Sequence, residues 1–209
     1  PVALEHLLNE CGYADWNPGA ETDDGRVRGM GIACFIESSA AGPPESARIT
    51  VFSNGGVEIR TGASSVGQGT ETGLAQICAE FLDINMNRID VLHGSTTLVE
   101  IGGGTFHSRN TVMAGNATRT AAESLKDRAT ELAALRWNCD AKDLSYDDGA
   151  VHRDSDRLTL QELAAFAETR GETLSADALF DNEKKMSYSY GAHAAQIAID
   201  IATGVVEVE

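Results

Sequence analysis

The sequence is short of positive charge: 16 Lys and Arg stand against 32 Asp and Glu, a net charge of −16 over 209 residues. A field of that sign repels phosphate backbones, so nucleic-acid binding is not expected. No apolar run approaches the ~18 residues a membrane helix needs, and the N-terminus lacks the basic-then-apolar pattern of a secretory signal. Cysteine is sparse. Cys11, Cys34, Cys78 and Cys139 form no CxxC pair, which excludes a disulfide framework and iron–sulfur spacing. Cys34 and Cys78 lie in apolar segments and are expected as buried thiols. The histidines His6, His93, His107, His152 and His193 make no HxH or HExxH pair, so no residue is assigned as a metal ligand. Reduced thiols without a signal point to the cytoplasm and away from any membrane.

What is present reads as a folded chain. Hydrophobic residues make up 42% and glycine fills 21 positions, and this length suffices for one domain or two small ones with a proper core. Pro1–Asn17 is expected as a short helical lead-in with Leu4, Leu7 and Leu8 on one stripe, followed by a polar stretch at Pro18–Asp24. Arg28–Ile36 reads as a small-residue strand, with Ser38–Pro44 breaking structure through Pro43-Pro44. Ala47–Phe52 and Val57–Thr61 alternate apolar and polar around Ser53-Asn54-Gly55-Gly56, the pattern of a hairpin. Thr70–Leu82 repeats Leu74, Ile77, Cys78, Phe81 and Leu82 at helical spacing behind the start signal Thr70-Glu71. Ile89–His93 is a short strand, and Asn110–Trp137 a helix of about 40 Å at ~1.5 Å per residue, with Leu125, Leu132 and Leu135 contributing to its buried stripe. Asp143–Val151 suggests a strand pair turned at Asp147-Asp148-Gly149, and Thr159–Glu168 a short amphipathic helix. Tyr188–Ile201 and Val205–Val208 read as strands joined by Ala202-Thr203-Gly204. The order implies an α+β fold, with helices packed on a mixed β-sheet in ββαβα order.

Chemistry concentrates in two glycine-rich loops, each feeding a helix. The first is Ser64-Ser65-Val66-Gly67-Gln68-Gly69-Thr70-Glu71. Glycines flanking Gln68 permit positive φ and a close backbone approach, the helix behind offers unpaired N–H groups, and Gln68 adds donors and an acceptor suited to a heterocycle edge. A plain glycine turn remains the alternative. The second is Gly102-Gly103-Gly104-Thr105-Phe106-His107-Ser108-Arg109-Asn110-Thr111. It could cradle an anion, with Arg109 binding a phosphate bidentately, or Ser108 or Asn110 could simply cap the helix and leave Arg109 a surface residue. Neither loop is a P-loop, since no GKS or GKT follows, and neither carries a full dinucleotide fingerprint.

Together the stretches GASSVGQGTETGLAQICAEFL, IDVLHGST and GGGTFHSRNTVMAGNA, in that order, resemble the molybdopterin-binding large subunit of the xanthine dehydrogenase / aldehyde oxidase / carbon monoxide dehydrogenase family. The resemblance runs from about Gly29 to Glu209 and includes RGMGIACFIESSA, GPPESARITV and GAHAAQIAIDIATGVVEV. It implies that Gln68, between Gly67 and Gly69, contacts the pterin. It implies also that Phe106, His107, Ser108, Arg109, Asn110 and Thr111 wrap the pterin and its dithiolene end, Phe106 and His107 facing the metal and substrate side. The implied cofactor is molybdopterin with molybdenum, in bacterial members usually as the cytosine dinucleotide form.

The implied activity is that of a molybdenum hydroxylase: an oxidoreductase that hydroxylates a heterocycle or aldehyde, or oxidises CO, with water as oxygen source. The implied partners are the rest of the molybdenum subunit, iron–sulfur and flavin (FAD) subunits, and a small-molecule substrate. The family's catalytic base is a glutamate in a GVGE-like motif, and no GVGE occurs here, so no catalytic residue is assigned. Residues 1–24 are expected as lead-in and linker, and 25–209 as a partial molybdenum cofactor-binding domain. With a first residue other than Met and a last residue inside an apparent strand, the chain is expected to be part of something longer, inactive alone and prone to self-association through that strand edge. A non-catalytic α+β module binding an anionic nucleotide-like ligand or a protein partner is the competing reading.

Overall fold

The computed structural model describes residues 2–17, 19, 22, 24–183 and 187–209. Pro1 of the expected lead-in, and Pro18, Ala20, Glu21 and Asp23 of the expected polar stretch, lie outside the described residues. In chain order the elements are α1 (Val2–Glu10), β1 (Arg26–Ser38), β2 (Glu45–Val51), β3 (Val57–Thr61), α2 (Thr70–Leu82) and β4 (Ile89–Leu92). One π-helical turn, Asn110–Ala114, then opens α3 (Gly115–Trp137). They are followed by β5 (Ser145–Asp147), β6 (Ala150–Arg153), β7 (Asp156–Thr159), α4 (Leu160–Thr169), β8 (Leu174–Phe180), β9 (Tyr188–Asp200) and β10 (Val206–Val208). The fold is α+β.

The chain divides into two compact units: everything up to Ser38 together with Tyr188–Glu209, and Ser39–Ser187. The helix α1 therefore belongs with β1 and β9, and the span 25–209 is shared between both units.

In the second unit the strand order is β4-β3-β2-β8. The sheet is mixed, because β3 runs parallel to β4 while β2 is antiparallel to both β3 and β8. Alternation sets its faces. Ala47, Ile49 and Val51 of β2 and Val57 and Ile59 of β3 are buried, whereas Arg48 points outward and pairs with Asp177 of β8 at 2.6 Å. The hairpin turn closes with Phe52 N–H on Gly56 O, and Gly55 takes the positive φ of +86° that the composition anticipated. On the buried face lies α3, whose stripe Ala117, Ala121, Leu125, Ala129 and Leu132 packs with Leu74, Cys78 and Leu82 of α2. The alanines let helix and sheet approach closely.

Several expectations are corrected. Leu135 is 54% exposed, since it falls on the flank of the stripe in the last helical turn. The expected strand pair at 143–151 is a three-stranded meander, β5-β6-β7. Its last strand leads into α4, which Thr159 and Glu162 start with a reciprocal capping box. The strand β8 was not anticipated. Its sequence, LSADALF, does alternate, with Leu174, Ala176, Ala178 and Phe180 turned to the core. Two of these four are alanines and only Leu174 is completely buried, so the hydrophobic signal is weak and the edge pairing with β2 decides it.

The first unit is a ribbon of order β1-β9-β10. Arg28 of β1 reaches over the central strand to Glu209 at 2.7 Å, and Arg26 pairs likewise with Glu207. Ala198, the strand partner of both Arg28 and Glu207, is small enough to be spanned. Phe35 covers its cross-strand partner Gly191 and stacks on His193 at 5.5 Å. Cys34, expected to be buried, is exposed because the second half of β1 has no covering layer within this unit. Cys78 is buried as expected, and burial pushes its thiol up to about 12.

Candidate functional site: two glycine loops clamped together

Both loops belong to the second unit, and they meet through their backbones. A Cβ on Gly62 would overlap the Cα of Gly102, and the reverse holds for Gly102. Only glycine allows that approach. Side chains then fasten the contact. Asn110 donates from Nδ2 to Ser64 O at 3.1 Å and to Thr70 Oγ1 at 2.8 Å, and its Oδ1 accepts from Thr105 Oγ1 at 3.1 Å. The Thr105 hydroxyl lies within reach of Ser64 O as well, so its one proton is shared between the two acceptors. One amide thus joins the first loop, the start of α2 and the second loop. Neither Ser108 nor Asn110 serves as the helix cap that was one reading of this segment. The residue before the π-helical turn is Arg109, without a side-chain cap, and such turns recur at functional sites.

The first loop stays open. Gly67 (φ +98°) and Gly69 (φ +78°) both take positive φ, and nothing lies within 4 Å of where their Cβ would stand. Gln68 between them is exposed, with Oε1 accepting the Val66 N–H at 2.7 Å. Its Nε2 makes no hydrogen bond among the described residues. Gly69 precedes α2 in the left-handed region and caps it with no side chain. Behind it, Glu71 lies 2.8 Å from His93 Nε2. The Glu71 carboxyl is held below its ordinary range, chiefly by its own backbone N–H, then by His93 and the Ser65 hydroxyl. Sequence reasoning missed this cluster because His93 and Glu71 are 22 positions apart.

The second loop is closed inward. Arg109 is 1% exposed. Its Nη1 donates to Glu45 Oε2 at 2.7 Å and Gly104 O at 3.0 Å, its Nε to Ala41 O at 3.2 Å, and its Nη2 to Pro43 O. Both readings of Arg109 are corrected: it is not a surface residue, and the donors that could have taken a phosphate bidentately are committed to protein acceptors out of solvent. Phe106 is 43% exposed, its ring 5.3 Å from the Arg109 guanidinium and edge-on to His107. His107 (φ +47°) and Ser108 (φ +48°) are consecutive left-handed residues, both exposed, as is Thr111. Two such residues in a row are costly unless their surroundings hold them. Among the described residues no group of three His, Cys, Asp or Glu is placed to hold a metal, and no helix is long and apolar enough to cross a membrane.

The architecture and the order of the two loops agree with a known family. A family profile described as the molybdopterin cofactor-binding domain matches residues 6–209. The chain belongs to this family. Among its relatives, the 6-hydroxypseudooxynicotine dehydrogenase complex subunit gamma of Paenarthrobacter nicotinovorans is 38% identical over 96% of the chain, which spans 27% of that protein. The carbon monoxide dehydrogenase large chain of Afipia carboxidovorans is 30% identical over 99% of the chain and 29% of that protein. Among solved structures, the Cu,Mo-CO dehydrogenase superposes with a TM-score of 0.69 at 30% identity, covering 100% of this chain and 30% of that one. Quinoline 2-oxidoreductase from Pseudomonas putida 86 gives 0.70 at 26% identity, covering 99% and 29%. The chain therefore spans under a third of the length of these relatives. The alignments leave most of each relative unmatched.

Proposed function

We propose that the clamped loops form one wall of a molybdenum cofactor pocket in a large subunit of the molybdenum hydroxylase type. The observation that carries this reading is the Asn110 clamp, which sets the open Gly67-Gln68-Gly69 turn and the exposed Phe106-His107-Ser108 turn side by side as one rigid element. The donor set fits a polar heterocycle. Gln68 keeps its Nε2 donors uncommitted while Oε1 holds the Val66 N–H, and Gly67 and Gly69 leave open space where a flat ring could come close to the backbone. The Glu71 carboxylate at the start of α2 disfavours placing a phosphate directly on that helix terminus. The phosphates of a cytosine dinucleotide form would instead need backbone N–H groups, since Arg109 is committed elsewhere.

When bound, the cofactor supplies the metal-centred redox chemistry, and the protein's share is binding and orientation. In this reading Gln68 holds the pterin edge, Phe106 excludes water beside the metal-facing side, and His107 and Ser108 line the approach. Thr111, exposed on the π-helical turn that opens α3, completes that wall. The general base, the iron–sulfur and flavin partners and the choice between heterocycle, aldehyde and CO as substrate lie outside these residues. The reading includes a cytoplasmic setting and no activity of these 209 residues alone. The test is Gln68→Ala in the complete purified protein, read as molybdenum and released cytidine nucleotide per folded protein. We expect a loss of bound cofactor with the melting temperature unchanged. Full occupancy would show that Gln68 is only a turn residue.

A further inference from the structure

The segment Ala40–Glu45 has no site residue assigned from the sequence, which marks it as a break between strands. In the structure Ala40, Ala41, Gly42, Pro43 and Glu45 each meet the second glycine loop. Ala40 N–H donates to His107 O at 3.0 Å. Gly42, at φ +103°, leaves the space that the Phe106 ring fills: a Cβ there would stand 2.7 Å from Phe106 Cζ. Ala41 O and Pro43 O accept from Arg109. Glu45, fully buried, takes Arg109 Nη1 and the Gly103 N–H, at 2.7 and 3.1 Å, on the same oxygen. Gly103 has no room for a Cβ because the guanidinium lies against it.

Stability alone does not explain such a pair. Two buried charges replaced by apolar groups of equal volume often leave a protein as stable or more so. What apolar groups lack is the fork. A planar guanidinium reaches acceptors on two separate stretches of chain at once and fixes the angle between them. Here it holds Ala41, Pro43 and Glu45 on one side and Gly104 of its own loop on the other. The exposed left-handed pair His107-Ser108 is suspended between these anchors.

We infer that Ala40–Glu45 is the template on which the 102–109 loop is shaped, and that Glu45 and Arg109 are positioning residues for that loop. Their bearing on cofactor retention rests on the function proposed above. The loop conformation itself does not. The experiment compares the complete purified protein with Glu45→Gln and with the double variant Glu45→Gln, Arg109→Gln. Readouts are melting temperature, amide exchange across 102–109 and molybdenum with cytidine nucleotide per folded protein, with Gln68→Ala alongside.

Glu45→Gln strands a buried cation and lowers the melting temperature, or prevents folding. The double variant removes both charges and restores folding, which keeps the test usable. We expect amides of 102–109 in the double variant to exchange on the order of tenfold faster or more, as local opening becomes easier, although its melting temperature recovers. Exchange as slow as in the parent would overturn the inference. Accelerated exchange with cofactor lost in both the double variant and Gln68→Ala supports the template and the proposed site together. Accelerated exchange with full cofactor in both supports the template and removes the proposed site.

Discussion

The two glycine loops use the same residue for opposite reasons. In the first, Gly67 and Gly69 are needed for backbone conformation, and the space around them is empty. In the second, Gly102 and Gly103 are needed for room: one lies against the backbone of Gly62, the other against the Arg109 guanidinium. The first loop is thus free to meet something outside the chain, while the second is occupied by the chain itself and exposes only its tip. Glycine count in a motif does not distinguish a ligand-facing turn from a packing seam. What surrounds the missing Cβ does.

The contrast is broken most severely at the seam. Gly102→Ala places a methyl into the Gly62 backbone, which cannot swing aside like a side chain, and should cost about 3 kcal/mol, the upper range for overpacking. Gly69→Ala meets no atom and carries only the left-handed penalty, about 1 kcal/mol. Denaturant melts of the two variants check this, and equal losses would contradict the division of roles.

Asn110→Ala comes next. It leaves Ser64 O and the Thr70 and Thr105 hydroxyls without their shared partner, at a cost of about 2 kcal/mol for partly buried groups. Amide exchange should rise in 62–69 as well as in 102–109. A change confined to one loop would mean that they are not coupled through this side chain.

The smallest effect sharpens the description of the open loop. The carboxyl of Glu71 is held below the ordinary glutamate value of 4.5. A group depressed in the folded state contributes stability above its unfolded value, and that contribution disappears as pH falls through the lowered folded value. Glu71→Gln should therefore flatten the acid limb of the melting-temperature profile slightly and leave neutral pH almost unchanged. A parallel downward shift at all pH values would instead assign Glu71 a packing role.

Much of the second unit was legible before any coordinates. Hairpin alternation, the Asn54-Gly55 turn and the bounds of α2 are local patterns, and local sterics and burial produce what they promise. The long helix was legible too, but its π-helical opening was not: Asn110 gives up capping to reach Ser64 and Thr70, 46 and 40 positions away. The strand β8 was missed because its period-2 inward positions are half alanine, a weak hydrophobic signal, and pairing with β2 is what fixes it. Cys34 looked buried for the opposite reason, because an apolar sequence neighbourhood says nothing about whether a second layer covers it.

By itself the sequence determined the α+β class, the two glycine loops and their order, and the family to which those loops belong, because these depend on short-range periodicity and on residues within a few positions of each other. Only the tertiary structure decided which way the functional groups face. Arg109 has the chemistry of a phosphate ligand, yet a carboxylate 64 positions earlier in the chain turns it inward. A buried guanidinium must find its counter-charge and its acceptors within hydrogen-bond reach, and what lies within reach is set by how β2, the Ala40–Glu45 segment and the second loop pack.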